Sequence, residues 1–200
     1  MFKTKEALIP YLLLVAVVAA GLIWHESENV PGLGRTVSIG AITVGGPFTL
    51  TDQNGVRRSN ADFRGKYQLI YFGYSFCPDV CPTTLGVMSQ ALDKMGMDAD
   101  RIVPIFITID PERDTPAVLK TYMAAFGPRF VGLTGSTAEI AAVEKAYRVY
   151  AKKQPLNGSG TYGMDHSSVM YLMGPDGRLV TFYDELVSPD ALEKDLKAKI

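Results

Sequence analysis

The chain has 200 residues, of which 20 are basic and 21 acidic, so its formal net charge is −1. This balance argues against a nucleic-acid-binding protein, because such proteins need clustered positive charge to hold a phosphate backbone. A charged fraction of 20% and an aromatic fraction of 10% argue against a disordered chain. Two cysteines are too few for a disulfide-dense scaffold, and with two histidines they leave few residues for thiol or metal chemistry.

Residues 7–24 form an uncharged apolar run that follows Lys3 and Lys5. A helix of this length spans about 27 Å, which is enough to cross the hydrocarbon core of a bilayer. The positive-inside rule then predicts export of the rest of the chain. The alternative is a cleaved signal peptide with its small-residue site at residues 18–20. We favour a single retained transmembrane helix, because the apolar run continues to Trp24, a residue typical of membrane interfaces.

Residues 25–37 are predicted to be a linker, and residues 38–200 a single domain. Within the domain, apolar runs alternate with segments of helical period, which predicts an α/β fold with a central mixed β-sheet flanked by helices. Pro104 predicts a bulge or an edge position in its strand, and the polar, Gly-rich residues 154–164 predict a loop. Strands are predicted at residues 48–51, 67–74, 102–109, 130–133, 169–173 and 178–182, and helices around residues 85–95, 116–126, 137–147 and 189–200.

The two cysteines, Cys77 and Cys81, follow directly after a predicted buried strand and precede an amphipathic helix. Residues four apart share a helix face, so both sulfur atoms can point the same way. A helix N-terminus favours the thiolate, which is both the nucleophile and the metal-ligating form. Two structural cysteines or a simple disulfide are the alternatives, but a disulfide closing so short a loop stabilises a fold little. We therefore interpret the pair as reactive.

Of the two histidines, His25 lies at the predicted membrane boundary and is interpreted as a solvated residue. His166 lies just before the predicted strand at residues 169–173, and loops at sheet ends are where binding sites are commonly built. Two thiolates and one imidazole form a soft ligand set that suits copper, while a Cys₂His zinc site completed by water is the chemical competitor. Asp165 is either the residue that orients His166 or a surface acid.

Four stretches of the chain resemble the SCO/SenC family of membrane-anchored, thioredoxin-like copper proteins. The resemblance begins near residue 40 and reaches the C-terminus. It implies a thioredoxin-like fold and carries the family's metal ligands onto Cys77, Cys81 and His166. The matching stretches are YFGYSFCPDVCPTTL at residues 71–85, ITIDPERDTPAVLKTYMAAF at 107–126, FVGLTGS at 130–136 and DHSSVMYLMGPDG at 165–177.

The resemblance implies a metallochaperone rather than an enzyme. Its copper ion, Cu(I) or Cu(II), would come from a copper donor protein and pass to the CuA centre of cytochrome c oxidase subunit II. Oxidation of the cysteine pair to a disulfide would remove the site, so thiol redox state would gate copper binding. The domain would face the periplasm from an inner-membrane anchor, or the mitochondrial intermembrane space in a eukaryote. The chain shows no evident transit peptide, which favours a bacterial source.

Three other functions use the same cysteines. A thiol-disulfide oxidoreductase would reduce the CuA cysteines with the redox-active pair Cys77 and Cys81, but the C-x-x-x-C spacing and the lack of proline at residues 164–169 argue against it. A peroxidase is less favoured, because Pro78 stands where peroxiredoxins carry threonine. A sensor of redox or copper status is not distinguished by sequence.

Two further acidic segments lie near the cysteines or at a strand end, and each has a structural interpretation. Asp79, between the cysteines, either tunes the thiolates and contacts a partner or is simply an acid favoured by the helix dipole. The segment at residues 110–116 is interpreted as a strand end followed by a helix cap, in which Asp114 or Thr115 caps the helix and Pro116 occupies its first turn.

Overall fold

The computed structural model describes residues 43–155 and 162–200. The predicted membrane helix at residues 7–24 and the predicted linker at residues 25–37 lie outside the described residues. From Thr43 onward the chain forms one compact unit. Within the two described ranges, no helix combines the length and the apolar character that crossing a membrane requires.

Nine strands, four α-helices and two short 3₁₀ helices (Asn60–Phe63 and Gly96–Arg101) make up the regular structure of the described residues. The helices are α1 (Val80–Met95), α2 (Pro116–Ala124), α3 (Thr137–Tyr147) and α4 (Pro189–Lys199). The strands are β1 (Thr49–Asp52), β2 (Arg57–Ser59), β3 (Tyr67–Gly73), β4 (Ile102–Thr108), β5 (Val131–Thr134), β6 (Ala151–Pro155), β7 (Tyr162–His166), β8 (Val169–Met173) and β9 (Leu179–Asp184).

Seven of these strands form one mixed sheet in the order β2-β1-β5-β4-β3-β8-β9. The three central strands β5, β4 and β3 run parallel, and the outer pairs on both sides are antiparallel. This architecture confirms the predicted α/β fold with a central mixed sheet. The remaining strands, β6 and β7, pair only with each other and form a separate two-stranded sheet, which we call the arm.

The central strands owe their position to continuous apolar sequence. Six of the seven residues of β3 are buried, as expected for a strand covered by helices on both faces. Strand β4 lies between β3 and β5, yet its ladder with β5 begins only at Ile105. Pro104 pairs with Leu69 on the β3 side. The proline therefore lies where the strand has a neighbour on one side, which is the local edge position that its missing N–H predicts.

Three of the four helices begin at a residue whose side chain accepts a free N–H of the first turn, while Asp79 at the start of α1 makes no such bond. Thr115 caps α2 through its side chain, with Pro116 in the first turn, as the sequence predicts. Ser136 and Glu139 form a reciprocal capping box at α3. Helix α1 packs beside α4 and buries its predicted apolar face, which consists of Leu85, Met88, Leu92 and Met95.

The predicted loop at residues 154–164 is wrong at both of its ends. Residues 154–155 belong to β6 and residues 162–164 to β7, while residues 156–161 lie outside the described ones. The two strands of the arm are not part of the main sheet, and most of β6 is exposed. Its sequence therefore needs no apolar alternation, and without that pattern a strand is hard to tell from a polar loop.

Candidate metal and thiol site

The two cysteines lie where β3 gives way to α1. After Gly73 the chain turns, with the Cys77 amide donating to the Tyr74 carbonyl at 3.2 Å. Helix α1 begins only at Val80, so Cys77 precedes the helix and Cys81 lies in its first turn. The spacing alone predicts that the two residues share a helix face. This prediction is wrong, because only Cys81 lies in the helix. Cys77 Sγ instead accepts a hydrogen bond from the Cys81 amide at 3.4 Å.

The two thiols differ in exposure. Both are free, and Cys77 is partly exposed while Cys81 has 0% of its surface accessible. Burial raises the pKa of the Cys81 thiol to about 12. The expectation that the helix N-terminus favours the thiolate is thus wrong for Cys81, because burial removes the water that would stabilise the anion.

His166 ends strand β7 and reaches back across the fold to the cysteines. Its Nδ1 lies 3.1 Å from the Ser167 carbonyl oxygen, which can only accept, so Nδ1 carries the proton. The unprotonated Nε2 then faces Cys81 Sγ at 3.6 Å. Burial lowers the pKa of the imidazole and favours the neutral, metal-ligating form.

The hydrogen bond from His166 Nδ1 to the Ser167 carbonyl, rather than Asp165, orients the imidazole ring. The Ser167 carbonyl holds the ring, while Asp165 is exposed and lies opposite Lys152 in the arm. Asp79 occupies the N-cap position of α1 and is exposed. It accepts a long 3.5 Å bond from Thr83, which matches its interpretation as an acid at a helix N-terminus.

The structure brings Cys81 and His166 together and leaves Cys77 outside that contact. No group of three or more His, Cys, Asp or Glu side chains among the described residues is gathered as a ready metal site. The Cys81–His166 separation nevertheless suits a shared metal ion. With metal–sulfur and metal–nitrogen bonds near 2.3 and 2.0 Å, two ligands about 110–120° apart have donor atoms about 3.5–3.7 Å apart.

Two tyrosines form an aromatic wall around this contact, which sequence analysis did not identify. The Tyr71 hydroxyl donates a long bond of 3.8 Å to Cys81 Sγ, and burial raises the pKa of this phenol, so it remains a donor. The rings of Tyr71 and Tyr74 both meet the His166 ring edge-on, with centroids 6.4 and 5.9 Å apart. The sequence does carry a signal for this wall, because aromatic residues end the predicted strand that leads into the cysteines.

The segment at residues 110–116 does more than end a strand and cap a helix. Thr115 is the cap, but Asp110 and Asp114 are both buried, at 1% and 0% exposed. Asp114 accepts from the Ser75 amide at 3.0 Å, the Thr108 hydroxyl at 2.6 Å and the Ser75 hydroxyl. It thereby fastens the loop that leads to Cys77, a role that the capping interpretation missed.

Comparison with known proteins identifies relatives across nearly the whole domain. The SCO1/SenC family model matches residues 37–200. The mouse mitochondrial protein SCO2 homolog is 38% identical over 198 residues, which cover 94% of this chain and 78% of the mouse protein. The covered share falls to 60% for the mouse mitochondrial protein SCO1 homolog, so the chain spans only part of these relatives.

Solved structures show the same fold. The structure of Bradyrhizobium japonicum ScoI with copper bound is 50% identical, with a TM-score of 0.73, and the match covers 78% of this chain and 99% of that one. BsSco, described as a member of the Sco family of cytochrome c oxidase assembly proteins with a disulfide switch, is 26% identical with a TM-score of 0.63. That match covers 79% of this chain and 94% of BsSco.

Proposed function

Because the chain belongs to the SCO1/SenC family, we propose that it is a copper-binding metallochaperone that acts in the assembly of cytochrome c oxidase. The observation that carries the proposal is the Cys81–His166 contact, in which an unprotonated imidazole nitrogen faces a thiol sulfur at 3.6 Å. Copper is bound in the solved ScoI relative, and oxidase assembly is the role named for the Sco family in the BsSco structure.

The proposed ligands are Cys77, Cys81 and His166. Thiolate and imidazole donors form a soft set suited to Cu(I). Cys77 Sγ lies 3.4 Å from the Cys81 amide, which places this sulfur beside the residue that supplies the second thiolate. The cysteine protons leave when copper binds, because thiolate rather than thiol is the ligand.

Delivery follows from the small number of ligands. A three-coordinate ion has an open face, so a thiolate of the acceptor can bind before a donor ligand leaves. We propose the CuA centre of oxidase subunit II as the acceptor and a separate copper protein as the donor. Loss of two protons and two electrons from the cysteines would form a disulfide and abolish the site.

The second candidate is a thiol-disulfide oxidoreductase acting on the same oxidase cysteines. The unequal exposure of the two thiols favours it, because an accessible cysteine can attack a partner disulfide while a buried neighbour resolves the mixed disulfide. In that reaction Cys77 and Cys81 are oxidised to a disulfide, and the partner disulfide gains two electrons and two protons.

An anaerobic Cu(I) titration of the reduced full chain, in competition with a chelator and with Zn(II) as the metal control, tests the proposal. We expect one tightly bound Cu(I) per chain. Cys77→Ser or Cys81→Ser should abolish tight binding, and His166→Ala should weaken it by at least about tenfold, or 1.4 kcal/mol. His25→Ala is the matched control and should bind like the parent.

Three outcomes would contradict the chaperone. These are equal affinity for zinc, unchanged affinity in His166→Ala, and tight copper binding by the oxidised pair. Rapid reduction of an oxidase-derived disulfide peptide by a copper-free His166→Ala chain would establish the oxidoreductase instead. A response of binding to redox state without transfer to any acceptor would favour a sensor.

We also propose that residues 7–24 anchor the protein in the inner membrane and that residues 25–37 link the anchor to the domain at residues 38–200. The lysines before the apolar run support a domain on the periplasmic side, or in the intermembrane space of a mitochondrion. Retention of the chain in membranes after an alkaline wash, with release by detergent, is the expected result of fractionation.

A further inference from the structure

Arg113 lies between the arm that carries His166 and the loop that carries Cys77. Its guanidinium carbon is 3.8 Å from the centre of the Tyr162 ring, at the start of β7. It is also 4.8 Å from the centre of the Phe76 ring, the residue next to Cys77. One planar cation thus contacts both of the segments that supply the site, and such contacts strengthen when water is excluded.

Polar bonds fix this arginine and the arm to the end of β4. Arg113 Nε pairs with the buried Asp110 carboxylate, and Nη1 donates to the Tyr162 carbonyl at 2.9 Å. The Tyr162 hydroxyl donates to the other Asp110 oxygen at 2.8 Å. Arginine, tyrosine and aspartate therefore close a ring of contacts that joins the first residue of β7 to the core.

The second strand of the arm is tied to the same turn. Lys153 of β6 pairs with Glu112 at 2.6 Å and lies 4.6 Å from the centre of the Tyr162 ring. This pair is exposed and contributes little on its own. By contrast, Arg113 is 21% exposed, and its Nη2 is buried with no hydrogen-bond partner among residues 43–155 and 162–200. The contacts that hold Arg113 are the Asp110 pair and the faces of the Tyr162 and Phe76 rings.

The arm needs such a fastening because the main sheet does not hold it. Strands β6 and β7 pair only with each other, and a two-stranded hairpin alone is marginally stable in water. His166 is the last residue of β7, and Tyr162 is the first. Bonds between Ser167 and Tyr150 hold the His166 end of β7. Contacts that hold Tyr162 fix the other end of the same strand, and with it the direction from which the imidazole approaches Cys81.

We propose that Arg113 is a positioning residue for the metal site. It holds the arm that carries His166 and the loop that carries Cys77 at the relative positions that metal binding requires. Among the described residues, no hydrogen bond or ion pair joins Arg113 to Cys77, Cys81 or His166, so it acts through the segments that carry them. The inference rests on the copper-binding function proposed above, and the affinity test depends on that function. A second test uses no metal.

The metal-free test is hydrogen exchange in the copper-free full chain, in detergent micelles. In Arg113→Gln, we expect at least about tenfold faster exchange of the ladder amides in β6 and β7, with the central strands β3 and β4 unchanged. Arg129→Gln is the matched control, because Arg129 also pairs with an aspartate, Asp100, but on the surface. Equal exchange of the arm in Arg113→Gln and the parent would overturn the proposal.

The affinity test is a double-mutant cycle with Cu(I). Arg113→Gln alone should lower affinity by at least about tenfold. In the His166→Ala background the same change should alter affinity by less than about twofold, because the imidazole it positions is already gone. A full tenfold loss in both backgrounds would mean a general structural role and would overturn positioning through His166.

Arg113→Gln leaves Asp110 buried without its cation, and this can prevent folding. A second, milder variant keeps the proposal testable in that case. Tyr162→Phe keeps the ring under the guanidinium and removes only the hydroxyl bond to Asp110. Tyr162→Phe should also speed hydrogen exchange of the β6 and β7 amides. Exchange rates equal to those of the parent would count against the proposal. If the parent itself bound no copper, the proposed function would fail, while hydrogen exchange would still decide how the arm is held.

Discussion

At the scale of single residues, the main feature is the inequality of the two thiols. Cys77 is partly exposed and precedes the helix, whereas Cys81 is fully buried in its first turn. A partner therefore meets Cys77 first, and Cys81 loses its proton only when a cation or a covalent bond replaces the lost hydration. In the proposed function, entry of a metal or a partner sulfur would thus fall to Cys77 and its retention to Cys81.

This inequality predicts selective alkylation. When the reduced, copper-free chain reacts with iodoacetamide near pH 7.5, Cys77 should be labelled at least about tenfold faster than Cys81, because thiolate is the nucleophile and burial disfavours it at Cys81. Mass spectrometry of the peptides over time measures both rates. The denatured chain is the control, in which the rates should converge. Similar rates in the folded chain would contradict the burial of Cys81.

At the scale of elements, the site depends on the close approach of α1 to the end of β3. Gly73, the last residue of β3, has no side chain where the Cys81 sulfur packs. A Cβ at this position would lie 2.9 Å from Cys81 Sγ and 3.0 Å from Phe106 Cε2. The glycine is thus required by space, and the position of Cys81 is set by the strand below it.

Gly73→Ala should therefore destabilise the domain by about 1–3 kcal/mol, as overpacking of a core does. Gly86→Ala is the matched control, since Gly86 lies on α1 with nothing within 4 Å of the added methyl group. It should stabilise the helix by up to about 1 kcal/mol. Urea unfolding of both variants measures the free energies. Equal stability of the Gly73 variant and the parent would show that α1 moves away at no cost.

At the scale of the whole molecule, burial of ionisable groups makes the fold sensitive to pH. Burial raises the pKa of the Glu144 carboxyl on α3 to about 7. The folded chain then holds this proton more tightly than the unfolded chain does. The corresponding stability is complete below the ordinary value of 4.5 and is lost as the pH rises through 7.

Glu144→Gln should remove this dependence. The loss in free energy of unfolding between pH 5 and pH 8 should be smaller than in the parent, and the variant should be the more stable of the two at pH 8. Glu139→Gln is the control on the same helix. The bonds from Arg57 and Ser136 lower the pKa of Glu139 to about 2, so its contribution is constant above pH 5. An unchanged pH slope in Glu144→Gln would show that this carboxyl is hydrated in the folded protein.

Most of the fold was predictable because the main sheet is built from apolar runs. The runs at residues 67–74 and 102–109 predicted β3 and β4 to within one residue at each end, and Pro116 marked the start of α2. The arm was missed because a two-stranded sheet outside the core has no apolar period. The local motif indicated both cysteines, and His166 was indicated by its place before the strand at residues 169–173 and by the soft ligand set that it completes, before the family resemblance carried the metal ligands onto all three residues.

The unpredicted parts of the site depend on contacts between distant segments. Nothing in the order of residues shows that Arg113 lies over Tyr162, or that Asp114 holds Ser75. The burial of Cys81 likewise results from packing of α1 on β3, and its effect on the thiol outweighs that of the helix N-terminus. Spacing along the chain identifies residues that can react, but the surrounding fold sets how they react.

The wide separation of the two contacting donors along the chain has a consequence for biogenesis. Cys81 and His166 are 85 residues apart, and the strand that delivers the imidazole is among the last elements to emerge during synthesis or translocation. A partly folded chain therefore presents only two neighbouring thiols, without the nitrogen that completes the set. Under the proposed function, competence to bind copper would therefore arise only after β7 has packed against α1, late in the formation of the domain.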